Sequence, residues 1–262
     1  VAIQPSSQSE SLERGLAILS AFRTGRALLG ISELGRELEL TRSTTHRYVA
    51  TLAALGYLRQ DAETKKYRLG PRVLDLGFSA INSMELREVA APHLRDLSDE
   101  TGFTVNMAIL DDLDIVCVER CRSGRRRQRE IDLDLHVGSR LPAYCTSLGK
   151  VLLAHLPPDE QRTRLQRLTF TRRGPNTLMT RAALAAELRR IREQGFATTN
   201  EELAYGLRSI AAPVLARDGT AAAAINLAVH STMLTLGDLV ALWSPALRRT
   251  AGAIGEQLDA HA

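Results

Sequence analysis

Apolar residues recur at helical spacing along the first third of the chain. Leu12, Leu16, Leu19 and Phe22 predict a helix over 12–22. Ile31, Leu34 and Leu38 mark the face of a second helix, with Ser32 as its expected N-cap. Residues 38–41 form a tight turn, and Thr41 is placed to cap a third helix that Gly56 ends. The period then changes. "YLRQ" and "KYRLG" are short extended runs on either side of the charged turn "DAETK", which reads as a small hairpin. Pro71 suits the first position of a further helix, "PRVLDLGFSAINS". Helix, helix, turn, helix, hairpin, helix is the layout of a winged helix-turn-helix followed by a linker helix.

From Met84 the pattern turns to mixed helix and strand. "ELREVAAPHLRDLSDET" reads as a helix ending at Gly102. "FTVNMAIL" and "DIVCVER" read as strands joined by "DDLD", and the arginine-rich "RSGRRRQRE" as a solvated loop. "IDLDLHVG" alternates as a strand does. "TSLGKVLLAHL" is a helix stopped by Pro157 and Pro158, and "RAALAAELRRIREQ" a helix closed by Gly195. "FATTN" and "SIAAPVLA" are strand-like, Asp218-Gly219 is a hairpin signal before "TAAAAINLAV", and a last helix runs over about 236–258. Strands grouped with flanking helices predict an α+β fold with an antiparallel sheet covered on its faces. The expected domains are a winged helix-turn-helix over 1–70, a linker helix over 71–84 and an α+β sensor-like domain over 85–262.

Composition narrows the class. The 262 residues are 44% hydrophobic and 24% charged, as in an ordinary globular protein. No apolar run reaches the roughly 18–20 residues of a membrane span, and the polar start of the chain lacks a signal core. A cytoplasmic protein with no membrane partner is expected. Of the net charge of +4, +3 falls in residues 1–83, a mild sign of a polyanionic partner there. The three cysteines read as buried free thiols. No metal or cofactor signature is found.

The third helix carries the clearest chemistry. Wound helically, "TRSTTHRYVATLAALGYL" places Arg42, Ser43, His46, Arg47 and Ala50 on one stripe and Tyr48, Val49, Leu52 and Leu55 on the opposite one. A small, hydroxylated, basic face suits a recognition helix in a DNA major groove. Arg42 and Arg47 can reach phosphates or a guanine edge, and Ser43, Thr44 and His46 base edges or phosphate oxygens. Lys65 and Lys66 of the wing, with Arg68, suit the neighbouring backbone. In the second domain, the start of "SLGKVLLA" offers a helix N-terminus suited to a carboxylate, or ordinary capping by Thr146 or Ser147. On "TAAAAINLAV", Ile225, Leu227 and Val229 face one way and Ala224, Asn226, Ala228 and His230 the other. The second face reads as the wall of a small polar cavity or as a solvent edge. A hydrolase built on Cys145 with His136 or His155 is the enzymatic alternative. No nucleophile elbow or zinc motif supports it.

The stretches "SLERGLAILSAF", "ISELGRELELTRSTTHRYVATLAALGYL", "YRLGPRVLDLG", "VGSRLPAYCTSLGKVLLAHLP" and "EELAYGLRSIAAPV" together resemble the IclR family of bacterial transcriptional regulators. The wording is most like the branch that controls protocatechuate and β-ketoadipate catabolism. The resemblance covers about residues 11–258. It implies that 85–262 is a GAF-like effector-binding domain, with double-stranded operator DNA as partner and a homodimer or dimer of dimers. It also implies a small organic-acid effector such as protocatechuate, with another organic-acid pathway as the alternative. Its pocket positions fall on Ser147, Leu148, Thr199, Ser209, Asn226 and Ala228. Family members often carry an acid where this chain has Thr199 and a cysteine where it has Ser209, so a metal-bound or glyoxylate-like mode is not expected here. For a cation to meet the acid, Arg14 in "SLERG" is the candidate, with a surface or intersubunit salt bridge as its other reading.

Overall fold

A computed structural model describes residues 9–22, 25–82, 84–123 and 135–261. The chain divides into two compact units, Val1–Ser83 and Met84–Ala262.

In the first unit, helices α1 (Glu10–Ser20), α2 (Ile31–Glu37) and α3 (Arg42–Ala54) precede an antiparallel hairpin of β1 (Leu58–Gln60) and β2 (Tyr67–Leu69), and then α4 (Arg72–Asn82). Ile18, Leu29, Leu34, Val49, Leu58 and Tyr67 form its core. The turn between α2 and α3 is tight because Gly35 lies against it. The Leu40 N–H donates to the Gly35 carbonyl at 2.8 Å, and a Cβ at Gly35 would stand 3.0 Å from the Leu40 carbonyl oxygen. Ser32 is not the cap of α2. Gly30 holds that position in an extended conformation, and its N–H donates to Glu33 Oε2 at 2.6 Å, so the carboxylate reaches back to close the helix start.

The second unit begins with α5 (Glu85–Thr101). Strands β3 (Val105–Asp111), β4 (Asp114–Cys121) and β5 (Arg140–Pro142) follow, and then a single 3-10 turn at Ala143–Cys145. Next come α6 (Ser147–Ala154), α7 (Pro158–Arg167), α8 (Arg181–Gln194), β6 (Ala197–Asn200), β7 (Leu207–Leu215), β8 (Ala221–His230) and α9 (Leu236–His261). The six strands form one antiparallel sheet in the order β5-β4-β3-β8-β7-β6. Alternation along the strands separates two cores. Met107, Ile210, Ile225, Leu227 and Val229 face Val89, Leu94 and Leu97 of α5 and Leu239, Leu247 and Ile254 of α9. Ala108, Ala211 and Ala224 face Leu148, Val151 and Leu152 of α6 and Leu184, Leu188 and Ile191 of α8. Alanines on that side let α6 lie close to the sheet.

Two expectations change. Of the strand expected over 131–138, residues 131–134 lie outside the described residues, and the rest is not strand: 137 and 138 form a turn, with the Gly138 N–H donating to the Cys117 carbonyl at 2.7 Å. The basic loop lies outside the described residues from 124 onward. Pro158 does more than stop α6. It is the first residue of α7, where its fixed φ fits and no N–H is needed.

Candidate functional site

The stripe on α3 is presented as its sequence suggests. Thr41 caps the helix, accepting the Thr44 N–H at 3.3 Å, and the Thr44 hydroxyl bonds to it at 2.9 Å. Thr45 and Val49 are buried and fix the helix on its unit, while Arg42, Ser43, His46, Arg47 and Ala50 are exposed. The Arg47 guanidinium lies 5.6 Å from the Tyr48 ring centroid. Lys65 stands exposed at the hairpin tip with φ +56°. Lys66 Nζ is 3.0 Å from Glu33 Oε1 and ties the wing to α2. The Gly30 N–H, and then Lys66, hold the Glu33 carboxyl below its ordinary value.

The second unit encloses a cavity where β3 begins and β4 and β8 end, closed by the start of α6. Its lining includes all six pocket positions implied for this domain: Ser147, Leu148, Thr199, Ser209, Asn226 and Ala228. Sheet register explains how they meet. Ala228 pairs with Ser209, and Ser209 with Thr199, so these side chains rise from one face. Ser147, the first residue of α6, bonds to Ser209 Oγ at 2.7 Å, and Thr199 Oγ1 bonds to the same oxygen at 2.6 Å. Thr146 caps α6, accepting the Gly149 N–H at 3.1 Å. The close seat of α6 needs Gly149. A Cβ there would stand 2.3 Å from the Ala143 Cα.

Among the lining residues that the sequence reading did not single out are Asn106 and Arg120. Asn106 pairs across strands with both Asn226 and Arg120. Its amide nitrogen donates to Asn226 Oδ1 at 2.8 Å, and its own Oδ1 accepts from Arg120 Nη1 at 2.7 Å. Asn226 is thus buried with a partner. A lone asparagine in the apolar run "VNMAIL" was the available signal for Asn106. Nothing local marks Arg120, which reaches the cavity through strand register. Arg14 lies on α1 of the other unit and forms an ion pair with Glu10 one turn before it.

Next to the cavity lies a buried ion pair. Lys150 is 1% exposed, and its Nζ is 2.5 Å from Glu202 Oε1. Burial lifts the Glu202 carboxyl above its ordinary value, opposed by Lys150. The cysteine alternative fails on chemistry. Burial pushes the Cys145 thiol up to about 12, so it is protonated at neutral pH, and it donates to the Pro142 carbonyl. His155 Nδ1 is taken by the Val151 carbonyl at 2.9 Å.

Residues 11–62 match the IclR helix-turn-helix domain, and residues 78–256 match the C-terminal domain of the bacterial transcriptional regulator IclR. The chain belongs to the IclR family of bacterial transcriptional regulators. Within the family it is 36% identical over 248 residues to the Pca regulon regulatory protein of Pseudomonas putida, covering 95% of this chain and 84% of that one. It is 31% identical to the p-hydroxybenzoate hydroxylase transcriptional activator of Acinetobacter baylyi, covering 93% and 89%. Among solved structures it is similar to an IclR homologue from Microbacterium hydrocarbonoxydans complexed with 4-hydroxybenzoate. That match has a TM-score of 0.79 at 26% identity, with 96% and 100% of the two chains covered. These IclR relatives are regulators of transcription, not enzymes. No helix among the described residues is long and apolar enough to cross a membrane.

Proposed function

We propose that the protein controls an aromatic-acid catabolic operon, with a small aromatic acid such as protocatechuate entering the cavity of the Met84–Ala262 unit and changing operator affinity. The observation that carries this reading is the cavity itself. Its described lining includes an arginine and no carboxylate, and it brings together hydroxyl and amide side chains that lie far apart in sequence. An anionic ligand is favoured over a cation. The relatives named for the pca regulon and for p-hydroxybenzoate hydroxylase point to the same chemistry.

The DNA contacts we assign to Arg42, Ser43, Thr44, His46 and Arg47 of α3, with Lys65 and Lys66 at the wing. Residues 1–70 form the reader, 71–84 the linker and 85–262 the sensor. Homodimerisation is part of the proposal, and a dimer of dimers is its extension. Leu12 and Leu16 on α1 and Leu74 and Phe78 on α4 are all more than half exposed, an apolar surface a monomer has no reason to keep.

The test is retardation of the protein's own promoter fragment with and without protocatechuate. Operator binding that shifts with the acid is expected, by a coupling of about 1–3 kcal/mol. Arg47→Ala should lower the slope of log affinity against log salt by about one phosphate contact. No retardation at modest salt would sink the proposal.

A further inference from the structure

The exposed stripe on α3 has a middle and two rims. At about 100° per residue, Arg42 and Arg47 stand about 140° apart and form the rims, with His46, Ala50 and Ser43 between them. A helix about 10–12 Å across with its side chains fills a major groove about 12 Å wide. The middle of the stripe then meets base edges, and each rim meets a phosphate strand.

Arg47 is held at its rim by Tyr48. The Tyr48 ring packs against the core of its unit, and the Arg47 guanidinium lies 5.6 Å from the ring centroid. The Tyr48 hydroxyl meets the side chains of Ser11, Arg47 and Arg14. Ser11 first, then Arg47 and Arg14, hold that hydroxyl below its ordinary value. Ser11 and Arg14 belong to α1, so one phenol gathers polar side chains from two helices. Its oxygen can accept from both guanidinium groups while its proton goes to the Ser11 oxygen. Two cations brought to one neutral oxygen repel each other. Glu10, one turn before Arg14, pairs with it and offsets part of that repulsion. An anion with several oxygens would relieve the rest.

We propose, resting on the reading of α3 as a DNA reader, that Arg14 and Arg47 close on one backbone phosphate at the edge of the groove and that Tyr48 is the residue that positions them. Arg47 is then a contact to the strand and not a reader of guanine, and α1 joins the DNA interface. A phosphate offers several charged acceptor oxygens, so each guanidinium can bond to its own. Selection of base edges falls to His46 and Ser43 in the middle of the stripe.

Fluorescence anisotropy of the full chain tests this with a labelled promoter duplex and a scrambled duplex of equal length, each over a salt series. The wild type should prefer the promoter duplex. Arg47→Gln should weaken both duplexes by the same factor and lower the slope of log affinity against log salt by about one. Adding Arg14→Gln should weaken both again but lower the slope little further, because the two arginines share a phosphate. Tyr48→Phe keeps the ring and every charge, and should weaken both duplexes by about 3–10-fold. That loss should vanish in the Arg14→Gln/Arg47→Gln background, where nothing is left to position. A Tyr48→Phe loss that persists there would make the tyrosine merely structural and overturn the proposal. So would an Arg47→Gln loss confined to the promoter duplex, which marks a base contact. No added loss from Arg14→Gln, or a second full step in slope, would overturn it equally. Inorganic phosphate at matched ionic strength should not compete, and competition would assign the pair to a free anion instead. If Tyr48→Phe does not fold, the two arginine variants decide. Failure of the functional reading looks different: the wild type then shows no preference for the promoter duplex.

Discussion

A single side chain decides more in the second unit than its sequence neighbours suggest. Lys150 sits in "SLGKVLLA" among apolar residues, buried at 1% exposure, because Glu202 meets it from the segment after β6. Removing one member of such a pair leaves the other charge uncompensated. Lys150→Met is therefore expected to cost about 3–5 kcal/mol, and adding Glu202→Leu should recover most of it. The pH dependence has a definite sign. The folded Glu202 carboxyl is raised above its ordinary value of 4.5. Below that value both states hold the proton and the group contributes nothing. As pH climbs past it the unfolded chain releases its proton first, so stability falls until the folded value is passed. Without Lys150 the gap widens. Denaturant titrations at pH 5 and pH 8 should show a larger loss between them in Lys150→Met than in Lys150→Met/Glu202→Leu. Equal losses would refute the assignment. Neither Lys150 nor its partner was singled out by sequence: a lysine in an apolar helix is a local irregularity, but no local pattern points to Glu202, 52 residues away.

At the scale of elements, helix α6 sets the cavity. It lies on alanines of the sheet and against the 3-10 turn before it, so Ser147 touches Ser209 and Leu148 enters the lining. Gly149 makes this possible. In Gly149→Ala the new Cβ would meet the Ala143 backbone at 2.3 Å, and α6 must move outward at a cost of about 1–3 kcal/mol. Thermal melting should show that loss, and effector affinity should fall with it as the Ser147–Ser209 contact opens. A variant with wild-type melting and wild-type affinity would contradict this role. Long periodic elements such as α5, α8 and α9 were legible in the sequence, because their apolar spacing and closing signals are local. Strand β5 and helix α7 were not. The first is three residues long and exists through its pairing with β4, and the second begins at a proline that reads as a stop.

At the scale of the whole molecule, the exposed leucines of α1 and α4 carry a prediction about assembly. If the proposed homodimer forms through this surface, Leu74→Glu combined with Phe78→Glu should yield a monomer by light scattering and lose tight operator binding, because each reader then engages DNA alone. A charged double variant that remains a dimer would place the interface elsewhere. The sequence by itself determined the winged helix-turn-helix, the exposed basic stripe on α3, the alternation of β8 and the α+β class. Each follows from spacing within one element, where side-chain direction is fixed by helical or strand period. What the tertiary structure alone decided is which residues share the cavity. Arg120 reaches Asn106, Asn106 reaches Asn226, and Ser147 reaches Ser209 and through it Thr199, across separations of 14, 120 and 62 residues for the first three contacts. Strand order and register are set by the packing of both sheet faces at once, and no local pattern encodes that choice.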